Sequence, residues 1–223
     1  MGSYRNFNWN RARSDFFTLF TDFFDYAAAD WVITTTEAGA GSATEALSNA
    51  AGGVLVVTND NADNDGDNFQ WAGGAGAAIE AFKYTAGKKL QFAARFKLSR
   101  VDGDFFAGLY ITDTDPVGGV SDGIYFRKLA AEAGLSLVVE KNAAESTAKA
   151  IETLVANTWY DLEIYYDGSS ERIEAFVDGE RVCSVPLTNA PDDEELALSF
   201  ACQNGSANAG VLSLDYIGAS QER

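Results

Sequence analysis

The chain has 223 residues, enough for one large β-sandwich or for two small domains. Its 33 acidic and 16 basic residues give a net charge of −17, a balance that disfavours binding to nucleic acid and anionic membranes, because phosphate binding requires clustered Lys and Arg. The chain contains no histidine, which excludes Ser-His-Asp and Cys-His catalytic systems and zinc sites with His ligands.

The first thirteen residues form a basic and aromatic arm. They contain three arginines and no acid, whereas residues 14–223 carry a net charge of −20. They contain no apolar run, so we expect no secretory signal and assembly in a cytoplasm. The arm can dock onto its own sandwich or onto a neighbouring subunit, and we expect the second. Its arginines and aromatics are residue types that anchor interfaces, and they are the predicted partner-binding residues: Tyr4, Arg5, Phe7, Trp9, Arg11 and Arg13.

The next segment, residues 14–28, is rich in phenylalanine. Two interpretations are open: a short helix capped by Ser14, or an extended first strand. Either structure must bury several phenylalanines against the sandwich or a partner. We therefore divide the chain into an arm with an aromatic segment, residues 1–30, and a sandwich domain, residues 31–223.

From residue 54 onward the hydrophobic pattern has a period of two. In the segment 89–98, Leu90, Phe92, Ala94, Phe96 and Leu98 alternate with mostly polar residues, which predicts a half-buried antiparallel strand. The glycine-rich residues 39–53 are expected to form a surface loop. Further strands are predicted at residues 54–58, 105–112, 123–127, 135–140, 158–166, 172–177, 196–202 and 211–217. So many strands with almost no helix indicate two packed sheets.

Residues 58–71 form the densest acidic loop of the chain. Their spacing follows the first half of an EF-hand loop, but Ala72 stands where the bidentate Glu would be required. The loop can still offer oxygen ligands to Ca²⁺, and the alternative is a solvated turn rich in Asp and Asn. The chain therefore has no predicted cofactor other than this calcium site, whose candidate ligands are Asp60, Asp63, Asp65 and Asp67.

The most specific pattern lies in residues 158–185. It opens with Trp159 and Tyr160, and the pairs Asp167-Gly168 and Asp178-Gly179 mark tight turns between apolar runs. This pattern resembles the central hairpin of laminin-G and concanavalin-like jelly rolls, in which the tryptophan anchors a core layer. The closing segment 214–217 resembles the last strand of the same superfamily. The resemblance covers about residues 54–218 and implies an all-β, two-sheet antiparallel jelly-roll sandwich with an N-terminal arm.

Some members of this superfamily cleave sugar chains with carboxylates that alternate along one strand. Asp161 and Glu163 alternate here, but Tyr165 stands where a third acid would be, and the lyase members' histidine is missing. We therefore expect a protein that is not an enzyme. Three aromatics are candidates for a sugar-binding platform, although core packing explains them equally well: Trp71, Tyr110 and Tyr125. The two cysteines, Cys183 and Cys202, form either one disulfide or two buried thiols, and the second interpretation is favoured.

The whole chain, with its Phe-Phe-rich start and its stretch AGGVLVVTNDNADNDGDNFQ, resembles structural proteins of tailed bacteriophages. The resemblance implies a capsid decoration (cement) protein that binds and stabilises the shell. Its expected partners are the major capsid protein or other virion subunits, its expected location is the virion, and we expect a homo-oligomer. The alternatives are a glycan-binding module, such as one on a phage fibre, and a carbohydrate-active enzyme.

Overall fold

A computed structural model describes residues 15–223 of the chain. These residues form two sheets of eight strands each. Sheet A contains β1 Phe16–Thr21, β3 Thr44–Leu47, β4 Leu55–Thr58, β7 Leu90–Leu98, β12 Trp159–Tyr166, β13 Arg172–Val177, β14 Glu180–Pro186 and β16 Val211–Glu222. Sheet B contains β2 Trp31–Thr36, β5 Gly66–Trp71, β6 Glu80–Phe82, β8 Asp104–Tyr110, β9 Gly123–Lys128, β10 Leu135–Lys141, β11 Ala144–Glu152 and β15 Leu196–Gln203. Two short 3₁₀ turns span Ala28–Asp30 and Leu187–Asn189.

The strands are antiparallel neighbours, and they confirm the predicted jelly-roll sandwich. Sheet A runs in the order β14-β13-β12-β7-β16-β4-β3, with β1 paired to the second half of β16. Sheet B runs in the order β11-β10-β9-β8-β15-β5-β2, with β6 paired to the start of β15. Consecutive strands often lie in different sheets, so the chain crosses repeatedly between the two layers. None of the helices in residues 15–223 has the length and apolar character needed to cross a bilayer.

The core lies between the two sheets and is lined by alternating residues of both. On β7 every predicted inward residue is buried, with Phe92 and Phe96 at 1% and 0% exposure. Their neighbours Arg95 and Lys97 face away from the core and remain partly exposed. The period-two pattern therefore predicted this strand correctly, because one face packs on the interior and the other faces solvent.

The predicted tight turns also form where the Asp-Gly pairs stand. Asp178 and Gly179 connect β13 to β14 with φ angles of 50° and 78°, the left-handed conformation that a two-residue hairpin turn requires. Gly168 has a φ of 85° between β12 and β13. A third turn of this kind, at Asn142 and Ala143, joins β10 to β11 with φ angles of 51° and 61°. The sequence analysis did not predict it, because Ala is an unusual residue for this conformation.

The phenylalanine-rich segment is extended rather than helical. Its residues 16–21 form β1, and the ring of Phe17 stacks on Phe82 with centroids 5.4 Å apart. Residues 16–21 of the aromatic segment therefore belong to sheet A. The expected surface loop at residues 39–53 contains the short strand β3, which pairs with β4.

The structure corrects the expectation that Trp159 anchors the core. Tyr160, Leu162 and Ile164 point inward, so Trp159 lies on the outer face of sheet A. There the guanidinium carbon of Arg95 lies 4.8 Å and the ammonium of Lys97 4.9 Å from the centroid of its ring. The tryptophan therefore makes cation–π contacts at the surface.

Candidate functional site

The outer face of sheet B carries a second, smaller apolar cluster. Phe106, Tyr110 and Tyr125 alternate along β8 and β9 with residues that face the main core, so they lie on the opposite side of the sheet. The segment 111–122 packs against this cluster through Ile111, Val117 and Val120. We call this segment the strap, because it covers the cluster and shields it from solvent.

Side-chain amides of β5 hold the first part of the strap. Gln70 donates from Nε2 to the carbonyl of Ile111 at 3.1 Å and accepts from the N–H of Asp113 at 2.9 Å. Asn68 donates from Nδ2 to the Asp113 carbonyl at 2.7 Å and accepts from the hydroxyl of Tyr110 at 2.8 Å. Because both amides are buried, their hydrogen bonds satisfy backbone groups that would otherwise be left unpaired.

For two of the three candidate platform residues, the strap decides between the two open interpretations in favour of packing. Tyr110 and Tyr125 are 0% and 1% exposed, so neither ring is accessible for stacking on a sugar. Trp71 remains partly exposed, but its ring packs edge-on against Trp31 with centroids 5.2 Å apart. The sequence analysis missed the strap because nothing in its local pattern shows which strand face it covers.

A pocket opens beside the strap on the outer face of sheet B. It lies between the strap and strands β2, β5, β8 and β15. Three threonines, two aspartates and several buried apolar residues contribute to its lining. Its lining includes Thr34, Thr36, Asn68, Phe106, Asp115 and Pro116.

Beyond the pocket, the same face contains a network of ionisable groups that runs from buried Tyr125 and Glu140 to the exposed Glu145. The hydroxyl of Tyr125 donates to Glu140 at 2.7 Å, and burial raises the pKa of both groups above their ordinary values. Arg127 pairs with Glu145 at 2.5 Å and lies 3.6 Å from Glu132. These contacts are internal to the face, so they fix β9, β10 and β11 relative to one another.

The structure does not bring the four predicted calcium ligands together. Asp60 accepts a hydrogen bond from the N–H of Gly41 at 3.1 Å, and Asp65 accepts one from the N–H of Asp60 at 2.6 Å. Asp63 is exposed, and Asp67 is buried on the inner side of β5. Within residues 15–223 no group of three or more His, Cys, Asp and Glu side chains is arranged to hold a metal ion. In this structure Asp65 stabilises the turn that the loop makes.

Asp161 and Glu163, the acidic pair that the sequence suggested, lie on the outer face of sheet A. Asp161 accepts a hydrogen bond from the hydroxyl of Tyr216 at 2.9 Å and lies 3.7 Å from Nε of Arg95. Glu163 accepts one from Gln91 at 2.8 Å. The two acids therefore lie on the other sheet from the pocket. The six predicted partner-binding residues of the arm lie outside the described part of the chain.

No protein-family model matches the chain, and no curated protein matches it. Solved structures do match. A protein of unknown function from Shewanella oneidensis MR-1 has a TM-score of 0.61 at 16% identity, covering 94% of this chain and 88% of its own. The basic winged bean lectin with Tn-antigen has a TM-score of 0.59 at 12% identity, covering 92% and 98%. The endo-β-1,4-glucuronan lyase of the fungus Trichoderma reesei has a TM-score of 0.56 at 13% identity, covering 90% and 94%.

These likenesses extend over nearly the whole described chain and over most of each matched structure. At identities this low they show the fold and nothing finer. The chain therefore has the two-sheet jelly-roll fold of the lectin and concanavalin-like proteins.

Proposed function

We propose that this protein is a non-catalytic glycan-binding domain and that the sugar contacts the outer face of sheet B at the pocket beside the strap. The observation that carries the proposal is the lining of that pocket, in which the side chains of Thr34, Thr36 and Asp115 stand beside buried apolar residues on one sheet face. Ligand sites generally share this composition, because apolar contact supplies affinity while a few polar groups set orientation.

The chemistry of the lining suits a sugar ring. The hydroxyls of Thr34 and Thr36 can each donate and accept a hydrogen bond, and the Asp115 carboxylate can accept bonds from sugar hydroxyls. Phe106 and Pro116 are buried, so they shape the base of the pocket and do not stack on a sugar ring. Asn68 is already bonded to the strap and to Tyr110, so its part is to fix the shape of the pocket.

The structural comparisons support a carbohydrate ligand. The winged bean lectin was solved with Tn-antigen, and the carbohydrate recognition domain of Emp46p has a TM-score of 0.54 at 8% identity. The glucuronan lyase acts on a sugar polymer. A binding role without catalysis is further supported by the lack of histidine in the chain and by the position of Asp161 and Glu163 on the sheet opposite to the pocket.

A glycan array followed by calorimetry on the full chain tests this proposal. Thr36→Trp fills the pocket, and Thr44→Trp places the same side chain on another exposed strand threonine as a matched control. We expect at least one glycan to bind, with an affinity that falls by a factor of ten or more in Thr36→Trp and is unchanged in Thr44→Trp. The proposal would be contradicted if no glycan on the array bound the protein, or if both variants lost affinity equally.

The non-catalytic part of the proposal has its own test. A panel of β-glucans, alginate and bacterial polysaccharides is incubated with the full chain, and reducing ends and unsaturated products are measured. We expect none to be released. Steady turnover that disappears when one carboxylate is replaced would show instead that the protein is an enzyme.

A second candidate is a virion structural protein that decorates a bacteriophage capsid. The charge separation supports it: a basic arm of thirteen residues precedes 210 residues with a net charge of −20. Such an arm suits attachment to the major capsid protein or another virion subunit by a homo-oligomeric protein located on the virion. The test is to mix full chain and a variant lacking residues 1–13 with particles that lack this protein. Selective binding of the full chain is expected, and equal binding of both would exclude the arm as the tether.

A further inference from the structure

The outer face of sheet A has small residues at its centre. Ala93 of β7 pairs directly with Gly218 of β16. The residues on either side of Ala93, Phe92 and Ala94, are part of the main core, so Ala93 points away from it. The same holds for Gly218, because Ile217 and Ala219 are core residues. The two small residues therefore form a low floor on the outside of the sandwich.

Larger side chains stand on both sides of this floor. Phe20 of β1 lies opposite Gly218, and its ring centroid is 5.9 Å from that of Tyr216. On the other side, Glu163 of β12 lies opposite Ala93, and Phe176 of β13 lies opposite Glu163. The face thus forms a groove with an aromatic wall on the β1 side and an acidic and aromatic wall on the β13 side. We call it the sheet A groove.

The floor of the sheet A groove is buried although it points outward. Ala93 is 4% exposed, and Gly218 is buried as well. Sheet B has a covering segment on its outer face in the strap, which is hydrogen-bonded to Asn68 and Gln70. No loop of residues 15–223 is hydrogen-bonded across sheet A in this way.

We propose that the sheet A groove is the docking site for residues 1–14 of the same chain. The described chain begins beside the groove: the carbonyl of Asp15 accepts a hydrogen bond from the N–H of Arg223 at 2.7 Å, and β1 follows at once. Gly218 pairs with Phe20, five residues beyond Asp15 and about 17 Å along the strand. Fourteen residues reach roughly 45 Å when extended, so the segment spans the groove with chain to spare.

The chemistry of the segment complements the groove. Its three arginines can approach Glu163 and, beside it on the same face, Asp161 and Asp215, two carboxylates that share the single guanidinium of Arg95. Its aromatic residues suit the rings of Phe20 and Tyr216, because aromatic pairs and arginine–aromatic contacts are favourable at interfaces. Since the segment is covalently attached beside the groove, its effective concentration there is on the order of millimolar, which favours docking within one chain over docking between chains.

The inference depends on neither candidate function. The docking site does affect the second candidate, a capsid decoration protein, because an arm that attaches the protein to a particle must first leave the sheet A groove. The groove then holds the arm in the free protein and releases it when a particle surface competes for the same arginine and aromatic side chains.

Limited trypsin digestion of the full chain tests the proposal, because Arg5, Arg11 and Arg13 are cleavage sites within the segment. Ala93→Trp fills the floor, and Glu163→Lys reverses the charge of one wall without adding bulk at the floor. Ala46→Trp, at an exposed position of β3, is the matched control for Ala93→Trp. Mass spectrometry measures the cleavage rate at each arginine, and circular dichroism confirms that every variant is folded.

We expect slow cleavage in the wild type and in Ala46→Trp, and cleavage faster by a factor of ten or more in Ala93→Trp and Glu163→Lys. If Ala93→Trp fails to fold, Glu163→Lys alone decides the result. Equal rates in the wild type and in the folded groove variants would overturn the proposal. Protection that increases with protein concentration, together with dimers in analytical ultracentrifugation, would also overturn it and assign the groove to a second copy.

Discussion

Phe96 of β7 and Phe105 of β8 stack across the interior of the sandwich, with ring centroids 4.1 Å apart and ring planes at 10°. Because β7 belongs to sheet A and β8 to sheet B, this pair joins the two layers directly. Both rings are 0% exposed. The chain passes from sheet A to sheet B between these two consecutive strands. The contact therefore links that connection to the packing of the main core.

Removing this ring should destabilise the fold. Phe96→Ala leaves a cavity between two rigid sheets, and large-to-small changes of this kind cost about 3–5 kcal/mol of unfolding free energy. Phe24→Ala is the matched control, because Phe24 is 72% exposed and its replacement should change stability by about 0.5 kcal/mol or less. Urea denaturation measures both values, and similar losses in the two variants would contradict the packing described here.

Asp67 should make stability depend on pH. Burial raises the pKa of Asp67 to about 6, and the nearby carboxylates of Glu45 and Asp65 act in the same direction. The ordinary value of 3.8 applies to the unfolded chain, so the folded state retains a proton that the unfolded state has already lost between about pH 4 and pH 6. The contribution of this group is therefore fully present below about pH 4 and is lost as the pH rises to about 6.

Asp67→Asn removes this charge while keeping a side chain of similar shape. A shift of two pKa units corresponds to about 2.7 kcal/mol. The difference in unfolding free energy between Asp67→Asn and the wild type should therefore favour the variant more at pH 8 than at pH 4, by about that amount. Chemical denaturation from pH 4 to pH 8 measures the difference. A constant difference between variant and wild type across this range would show that Asp67 does not titrate there.

Calcium should not stabilise the protein through its acidic loop. Asp60 and Asp65 are engaged by backbone N–H groups, and Asp67 points between the sheets, so their carboxylates do not converge. A bound ion at 100 times its Kd would add about 2.7 kcal/mol and raise the Tm by several degrees. We expect the Tm in millimolar Ca²⁺ and in chelator to agree within about one degree. A larger rise that Asp65→Asn abolishes would restore the calcium site predicted from the sequence.

The two cysteines should be present as unreactive thiols. Both are free, and burial raises the pKa of Cys202 to about 12 and that of Cys183 to about 11. Since the thiolate is the reactive form, both should react slowly with a disulfide reagent at pH 8 in the native protein. Two thiols should then react rapidly after denaturation without reductant. Fewer than two would reveal a disulfide instead.

The sequence by itself determined the fold class and many of its strands. On β7 and β12 one face is buried and the other is not. The alternation of apolar and polar residues, such as Phe92 and Arg95, therefore predicts both the strand and its buried face. The Asp-Gly pairs likewise predicted their turns, because the requirement for positive φ is local. These features depend on residues that are close together in the sequence, so the sequence alone is enough to predict them.

Only the tertiary structure decided which faces are covered. β8 is buried on both faces, so its continuous apolar pattern does not show that Phe105 belongs to the main core while Phe106 and Tyr110 lie under the strap. For the same reason the sequence left Tyr110 and Tyr125 open between an exposed sugar platform and core packing. The inward position of Asp67 and the outward position of Trp159 are also set by strand register and by distant segments. Local periodicity carries no information about a segment that packs from far along the chain.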